Sequence, residues 1–158
     1  MEGQQTPVSM ILTDMGVAHR QFVHAGRVDT LEQAASERDQ LPEQVIRSLL
    51  FRLSDQRFIM VLVGGSSQVS WKLLRQVLGE SRLTTADLAE LKAVTGYEIG
   101  AVAPFGIPGH IPIYIDQGVL EPEEISIGSG VRGTAIILTS ADLRKALPEA
   151  QIVNVIGR

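Results

Sequence analysis

The stretch from Thr95 to Asp116, TGYEIGAVAPFGIPGHIPIYID, constrains this chain more than any other. It carries four glycines and three prolines ahead of a short apolar run. Glycine admits backbone dihedrals closed to other residues and allows close approach of a ligand or a second backbone, while proline fixes φ and removes a donor. Mixed at this density, they specify a rigid, irregular path rather than a flexible linker. Two readings fit: a well-turned surface loop between regular elements, or the wall of a pocket.

The flanking segments say what holds such a loop. Thr6 before Pro7 is a helix start, with Met10, Ile11 and Met15 at helical spacing and Gly16 as the stop. HRQFVHA (19–25) reads as a short strand. Thr30 caps the helix TLEQAASERDQ, with Gln33 at the capping-box position. Leu41 and Pro42 open a short helical turn, PEQVIRS, which runs into a buried hairpin from Leu49 to Val63 around the polar turn Ser54 to Arg57. Ser70 caps WKLLRQVLG, stopped by Gly79, and a further helix runs from Thr85 or Ala86 to about Val94. EISIGSG and GTAIILTS are strands, Ser140 caps ADLRKAL, and QIVNVI is a last strand. Without regular βαβ alternation, the expected class is α+β: a mixed, largely antiparallel sheet, curved or barrel-like, surrounded by helices. Residues 1–158 are expected to form a single domain.

Composition removes several function classes. The absence of cysteine excludes disulfides, thiolate metal sites and cysteine nucleophiles together. A net charge of −4 argues against a protein coated for long nucleic-acid contacts, DNA included, and leaves room only for a small patch that holds a few phosphates. Seven aromatic residues are too few for an extended base-stacking platform. No apolar run approaches the roughly 20 residues that span a bilayer, and MEGQQTPVSM has no signal-peptide pattern, so no membrane partner and a cytoplasmic location are expected.

Three motifs invite chemistry. Gly128, Gly130 and Gly133 spell GxGxxG after a strand, yet a strand follows where a dinucleotide site needs a helix, so a tight turn is expected, with Ser129 inside it. Its backbone amides could still face an anion. His19, His24 and His110 lack metal-ligand spacing, and neither a metal nor a cofactor is expected. His110, inside the Gly/Pro loop, is either a hydrogen-bonded structural residue or a contact to substrate. Arg47 lies among Val45, Ile46, Leu49 and Leu50 and needs an acceptor there. Either a carboxylate pairs it, or it points into a pocket that receives anions.

PEQVIRSLLF, TGYEIGAVAPFG, IPIYID and GSGVRGTAIIL occur in the order and at the spacing of the YbaK-like, prolyl-tRNA synthetase-associated editing domains, and the chain resembles that family over nearly its whole length. The resemblance implies a free-standing aminoacyl-tRNA deacylase, without metal, that hydrolyses the ester of a mischarged tRNA, most plausibly Cys- or Ala-tRNA(Pro). Its partners would be the aminoacylated 3′ end of tRNA and prolyl-tRNA synthetase. The family's lysine position is occupied by Arg47, followed by Ser48, and both are implied to be catalytic. The loop Gly100, Ala101, Val102, Ala103, Pro104, Phe105 and Gly106 is implied to line the amino-acid pocket. His24, His110, Gly128, Ser129 and Gly130 complete the candidate substrate contacts. His24 stands where a tyrosine is common, and Ala135 where an acidic residue often falls. A non-catalytic module that binds the aminoacyl-adenosine end is the alternative function.

Overall fold

A computed structural model describes residues 4–157. In chain order it runs α1 (Pro7–Asp14), β1 (Arg20–Val23), α2 (Leu31–Glu37), a 3-10 turn (Pro42–Gln44), β2 (Ile46–Leu53) and β3 (Phe58–Gly64). There follow α3 (Trp71–Leu78), β4 (Leu83–Thr85), α4 (Leu88–Thr95) and β5 (Ile113–Asp116). A second 3-10 turn (Gln117–Leu120), β6 (Glu124–Gly128), β7 (Thr134–Thr139), α5 (Ser140–Ala146) and β8 (Gln151–Val153) complete it. The strands form a three-stranded sheet, β1-β7-β6, and a five-stranded sheet, β4-β2-β3-β5-β8. Only β3–β5 and β5–β8 pair in parallel, so the architecture is α+β and largely antiparallel. Among the described residues a single parallel bridge, Val45 to Ser126, joins the two sheets.

Local sequence accounts for most elements. Thr6 Oγ1 accepts from the Ser9 amide and Pro7 opens α1, while Thr30 and Ser70 cap α2 and α3 in the same way. Gln33 reaches back one residue further than a capping box requires and accepts from the Asp29 amide at 3.0 Å. Gly79 and Gly96 end their helices in the left-handed region, φ +67° and +79°. Alternate residues of β3 serve two cores: Met60 and Leu62 pack with Ile115, Ile125, Ile127 and Ile136, whereas Ile59, Val61 and Val63 pack with Phe51, Leu74 and Val155. Its unbroken apolar run is that of a strand buried on both faces.

Four expected boundaries shift. The turn at Pro42 is one 3-10 turn, and β2 begins at Ile46, so Arg47 and Ser48 belong to the strand. Thr84 and Thr85 lie in β4, paired with Arg52 and Phe51; α4 starts only at Leu88, where Asp87 and Glu90 form a reciprocal capping box. Thr139, not Ser140, caps α5. The last strand is confined to Gln151–Val153.

The edge of β2 opposite β3 is covered only at its ends. Thr85 of β4 reaches Phe51, the Ala86 amide donates to the Leu50 carbonyl, and the bridge at Val45 closes the other end. Between these attachments the strand edge is open, and the site lies there.

Candidate functional site

The open edge of β2 borders a cavity of about 1140 Å³, closed on other sides by α2, the end of β6 and the Gly/Pro loop. Its wall includes Arg47, Ser48, His24, Gly100, Val102 and Gly128, so one cavity gathers six of the residues singled out from the sequence.

Strand geometry sends the side chains of Arg47 and Ser48 to opposite faces of β2. Ser48 stands opposite Leu62, between Ile46 and Leu50. Its Oγ is buried and makes no hydrogen bond with the protein. Leaving a buried hydroxyl unpaired costs about 1–3 kcal/mol, so such a group marks a place where a ligand or water completes the site. Arg47 stands opposite Val63. Its Nε donates to the Gly65 carbonyl at 2.6 Å and its Nη2 to the Ser67 carbonyl. Burial lowers its pKa from the ordinary arginine value. The acceptor that the sequence demanded is thus a pair of backbone carbonyls in the turn after β3, and among the described residues no carboxylate pairs with Arg47.

The loop is pinned from behind. Ala101 and Ala103 are fully buried, Pro104 is buried, and Phe105 packs into the larger core. Tyr97 Oη donates to the Phe105 carbonyl, the Ala101 amide to Glu98, and the Gly130 amide to Ala101. Gly100, at φ +89°, and Val102 are left to face the cavity, and their amides donate no hydrogen bond among the described residues. Gly128 lies so close behind that a Cβ there would stand 2.1 Å from the Val102 carbonyl oxygen. Only glycine permits this approach.

The other candidates lie outside the cavity wall. Ser129 is fully buried, and its Oγ closes the turn onto the Val131 and Thr134 carbonyls. Gly130, at φ +91°, backs onto Tyr97 and Pro7. Gly106 and His110 are exposed. Among the described residues no three metal-ligating side chains cluster.

Sequence reasoning passed over Arg38, which lines the cavity between His24 and Ser126. The signal was present. Arg38 follows the buried alanines Ala34 and Ala35 by four and three residues and so lies on the inner face of α2. Arg27 and Arg132 also reach the wall, and Asp29, its one carboxylate among the described residues, is paired with Arg27 at 2.6 Å. The cavity is cationic on a chain of net charge −4.

The fold is mixed and largely antiparallel, around a cation-lined cleft that the Gly/Pro loop helps to wall. The model of the aminoacyl-tRNA editing domain matches residues 25–146, and the chain belongs to that family. It is 30% identical over 115 residues to the uncharacterized protein YwhH of Bacillus subtilis (strain 168), an alignment covering 72% of each chain. It is 35% identical over 92 residues to the proline--tRNA ligase of Bacillus velezensis, covering 58% of this chain and 16% of the ligase. The chain therefore corresponds to a minor part of such ligases. A crystal structure described as a candidate trans-editing enzyme for prolyl tRNA synthetase superposes with a TM-score of 0.81 at 24% identity, covering 89% of this chain and 87% of the other. A hypothetical protein superposes with a TM-score of 0.85 at 18% identity, covering 94% and 97%. These two likenesses show the fold. Among the described residues, no helix is long and apolar enough to cross a membrane.

Proposed function

We propose that this chain is a trans-editing deacylase that hydrolyses the ester between a wrongly attached amino acid and the 3′ end of a tRNA, with Cys- or Ala-tRNA(Pro) as the leading substrates. The observation that carries this reading is the unpartnered, buried hydroxyl of Ser48 in the same cavity wall as Gly100 and Val102. A water molecule, positioned by the tRNA 2′-hydroxyl, attacks the ester carbonyl. The bond from the carbonyl carbon to the 3′ oxygen then breaks, a proton from the water passes to that oxygen, and the amino acid and a tRNA with a free 3′-hydroxyl are released. The charge that develops on the carbonyl oxygen is met by the Gly100 and Val102 amides, a contribution of roughly 2.7–4 kcal/mol per donor in other hydrolases. Ser48 Oγ hydrogen-bonds the ester, and Arg47 supplies positive potential from the next residue of the same strand without exchanging a proton. Prolyl-tRNA synthetase is the partner that would produce the substrate, and residues 1–158 act as one domain. A second sieve of this kind supplies discrimination that one methylene in a pocket, worth about 1–3 kcal/mol, cannot.

One observation favours a second reading. The Arg47 guanidinium is already engaged by the Gly65 and Ser67 carbonyls, as befits a module that binds the aminoacyl-adenosine end without turnover. A panel of mischarged tRNAs, incubated with wild type and Arg47→Ala, separates the two. Release of Cys or Ala by wild type, lost in the variant, supports the deacylase. Binding of a non-hydrolysable aminoacyl-adenosine with no release from any tRNA refutes it in favour of the module.

A further inference from the structure

One polar chain links β1, α2 and β6 behind the cavity. His24 Nδ1 lies 2.7 Å from Glu37 Oε1, and Arg38 Nε lies 3.1 Å from His24 Nε2. An arginine Nε can only donate, so His24 Nε2 is an acceptor and Nδ1 holds the proton that it gives to Glu37. The carboxylate thereby fixes the tautomer, and the tautomer fixes the guanidinium. Arg38 Nη1 donates to Ser126 Oγ at 2.9 Å, Ser126 donates to Gln40 Oε1 at 2.7 Å, and Gln40 donates to Glu124 Oε1 at 3.1 Å. The series thus runs without a break from Glu37 to Glu124.

The series leaves one edge of Arg38 unused. Both N–H groups of Nη2 have no partner among the described residues, while Arg38 lines the cavity. Its direct partners are the His24 imidazole and the Ser126 hydroxyl, and the Glu37 carboxylate acts on it only through its charge, without a hydrogen bond; the wall's one carboxylate among the described residues, Asp29, is taken by Arg27. Ser126 and Gly128 share a face of β6, two residues and roughly 6.6 Å apart. Gly128 abuts Val102, and its partner across the sheet is the uncharged Ala135. The free edge of Arg38 therefore lies about one strand repeat from the Gly100–Val102 wall, in a half-buried setting where an oriented charge seeks an anion.

We infer that the free edge of Arg38 binds an anionic oxygen of the ligand, and that His24, Glu37 and Ser126 are positioning residues for it rather than substrate contacts. This rests on the aminoacyl-tRNA reading of the cavity. The oxygen belongs either to a phosphate of the tRNA 3′ end or to a carboxylate of the amino acid, and the experiment distinguishes them.

Binding by isothermal titration calorimetry is measured for three ligands: the trinucleotide CCA, and 3′-amide-linked alanyl- and aspartyl-adenosine without phosphate. Wild type is compared with Arg38→Met and Arg38→Gln, so that either variant serves if the other fails to fold. Arg38 loss is expected to weaken binding roughly tenfold to a hundredfold. The loss falls on CCA alone if the source is phosphate, or on the aspartyl ligand alone if it is the carboxylate. His24→Phe should weaken the same ligand, His24→Gln should restore part of the binding through its carbonyl, and His24→Phe with Arg38→Met should be no worse than Arg38→Met alone. The inference is overturned if Arg38 loss changes no ligand by more than twofold, or if wild type binds none of the three. Wild-type deacylation that is indifferent to Arg38 sinks this inference alone; Arg38-dependent binding without ester release sinks the deacylase reading alone.

Discussion

Replacing Gly128 by alanine tests how the loop is held. The backbone at Gly128 needs no left-handed φ, so its constraint is space alone. A Cβ there would stand 2.1 Å from the Val102 carbonyl oxygen, 2.9 Å from the Val102 carbonyl carbon and 3.0 Å from the Ala101 carbonyl carbon. A relaxed carbon–oxygen contact is about 3.3 Å, so the loop and β6 must part by roughly 1 Å. Neither side yields freely. Gly128 is paired with Ala135 in the sheet, and the loop is tied by the Gly130 to Ala101 and Ala101 to Glu98 hydrogen bonds, both 3.0 Å. Overpacking of this kind costs about 1–3 kcal/mol. For a domain of this size that lowers Tm by about 3–10 °C. The same displacement moves the Val102 amide, and a misplacement of about 1 Å at a reacting centre costs on the order of a hundredfold in rate. Two controls separate clash from strain. Gly133→Ala meets no atom within 4 Å but sits at φ +83°, and should lose only about 1–2 kcal/mol. Gly109→Ala has neither constraint and should be neutral. Thermal melts of the three variants, with ester release from mischarged tRNA, are the assay. A Gly128→Ala protein that melts within 1 °C of wild type and retains full turnover refutes this account of the loop.

Ser48→Ala removes the orphaned hydroxyl and should raise stability in urea by about 1 kcal/mol while lowering turnover or ligand binding; a loss of stability would show that Oγ has a partner in the folded protein. Arg47→Lys keeps the charge but cannot span the Gly65 and Ser67 carbonyls together. It should therefore lose about 1 kcal/mol in urea, while ester release rises if the arginine limits proton exchange, and a fall in release would assign the two-carbonyl clamp to function. Glu37 is held below the ordinary glutamate range by its hydrogen bonds to His24 and Gln33, against a smaller opposing effect of burial. A depressed carboxylate stabilises the fold above its unfolded value near pH 4.3, and that contribution is lost as pH falls through the lowered value. The stability difference between wild type and Glu37→Gln should thus hold from neutral pH to about pH 5 and shrink below it. A difference that persists at pH 2 would contradict the assignment.

Much of the fold was legible because local signals agreed with one another. Thr6-Pro7, Thr30 and Ser70 each cap the helix they announce, and the apolar run at Phe58–Gly64 is the doubly buried strand that its lack of alternation implies. Thr85 misled because a threonine before a helical pattern reads as a cap. Here the pairing of Thr84 and Thr85 with β2 prevails, and the cap passes to Asp87. The pairing of sheet edges is a tertiary fact that no single segment encodes. For the candidate site, the motif named the β2 segment and the Gly/Pro loop, and the fold brings both to one cavity. What the motif hid was facing. With Arg47 and Ser48 placed in a helical turn, they acted together; a strand beginning at Ile46 sends them to opposite faces, and only Ser48 remains unpartnered. The role of His24 was equally hidden, since its partners come from α2 and reach on to β6.

The charge distribution gives a last, quantitative discrimination. The chain as a whole is acidic, at −4, yet the cavity wall carries Arg27, Arg38, Arg47 and Arg132 against Asp29. Arg27 is paired with Asp29, which leaves three cations, Arg38, Arg47 and Arg132, that could meet phosphates. A single-stranded nucleic-acid end that displaces one counterion per cation loses affinity with salt at a slope of about −0.7 per contact in logarithmic units. Three contacts predict a slope near −2 for the 3′ end of tRNA. Arg132→Gln should make it shallower by about 0.7 if that side chain meets a phosphate. Titrations of 5′-phosphorylated CCA, which carries three phosphates, and of whole tRNA between 50 and 300 mM salt test both figures. A slope near zero would mean that the arginines do not contact phosphate, which would direct Arg38 towards a carboxylate instead. A slope near −2 for CCA but steeper than about −4 for whole tRNA would locate most of the affinity on a basic surface outside the cavity. An acidic protein that bound through a few focused cations would hold only the end of its substrate, as the proposed deacylase requires.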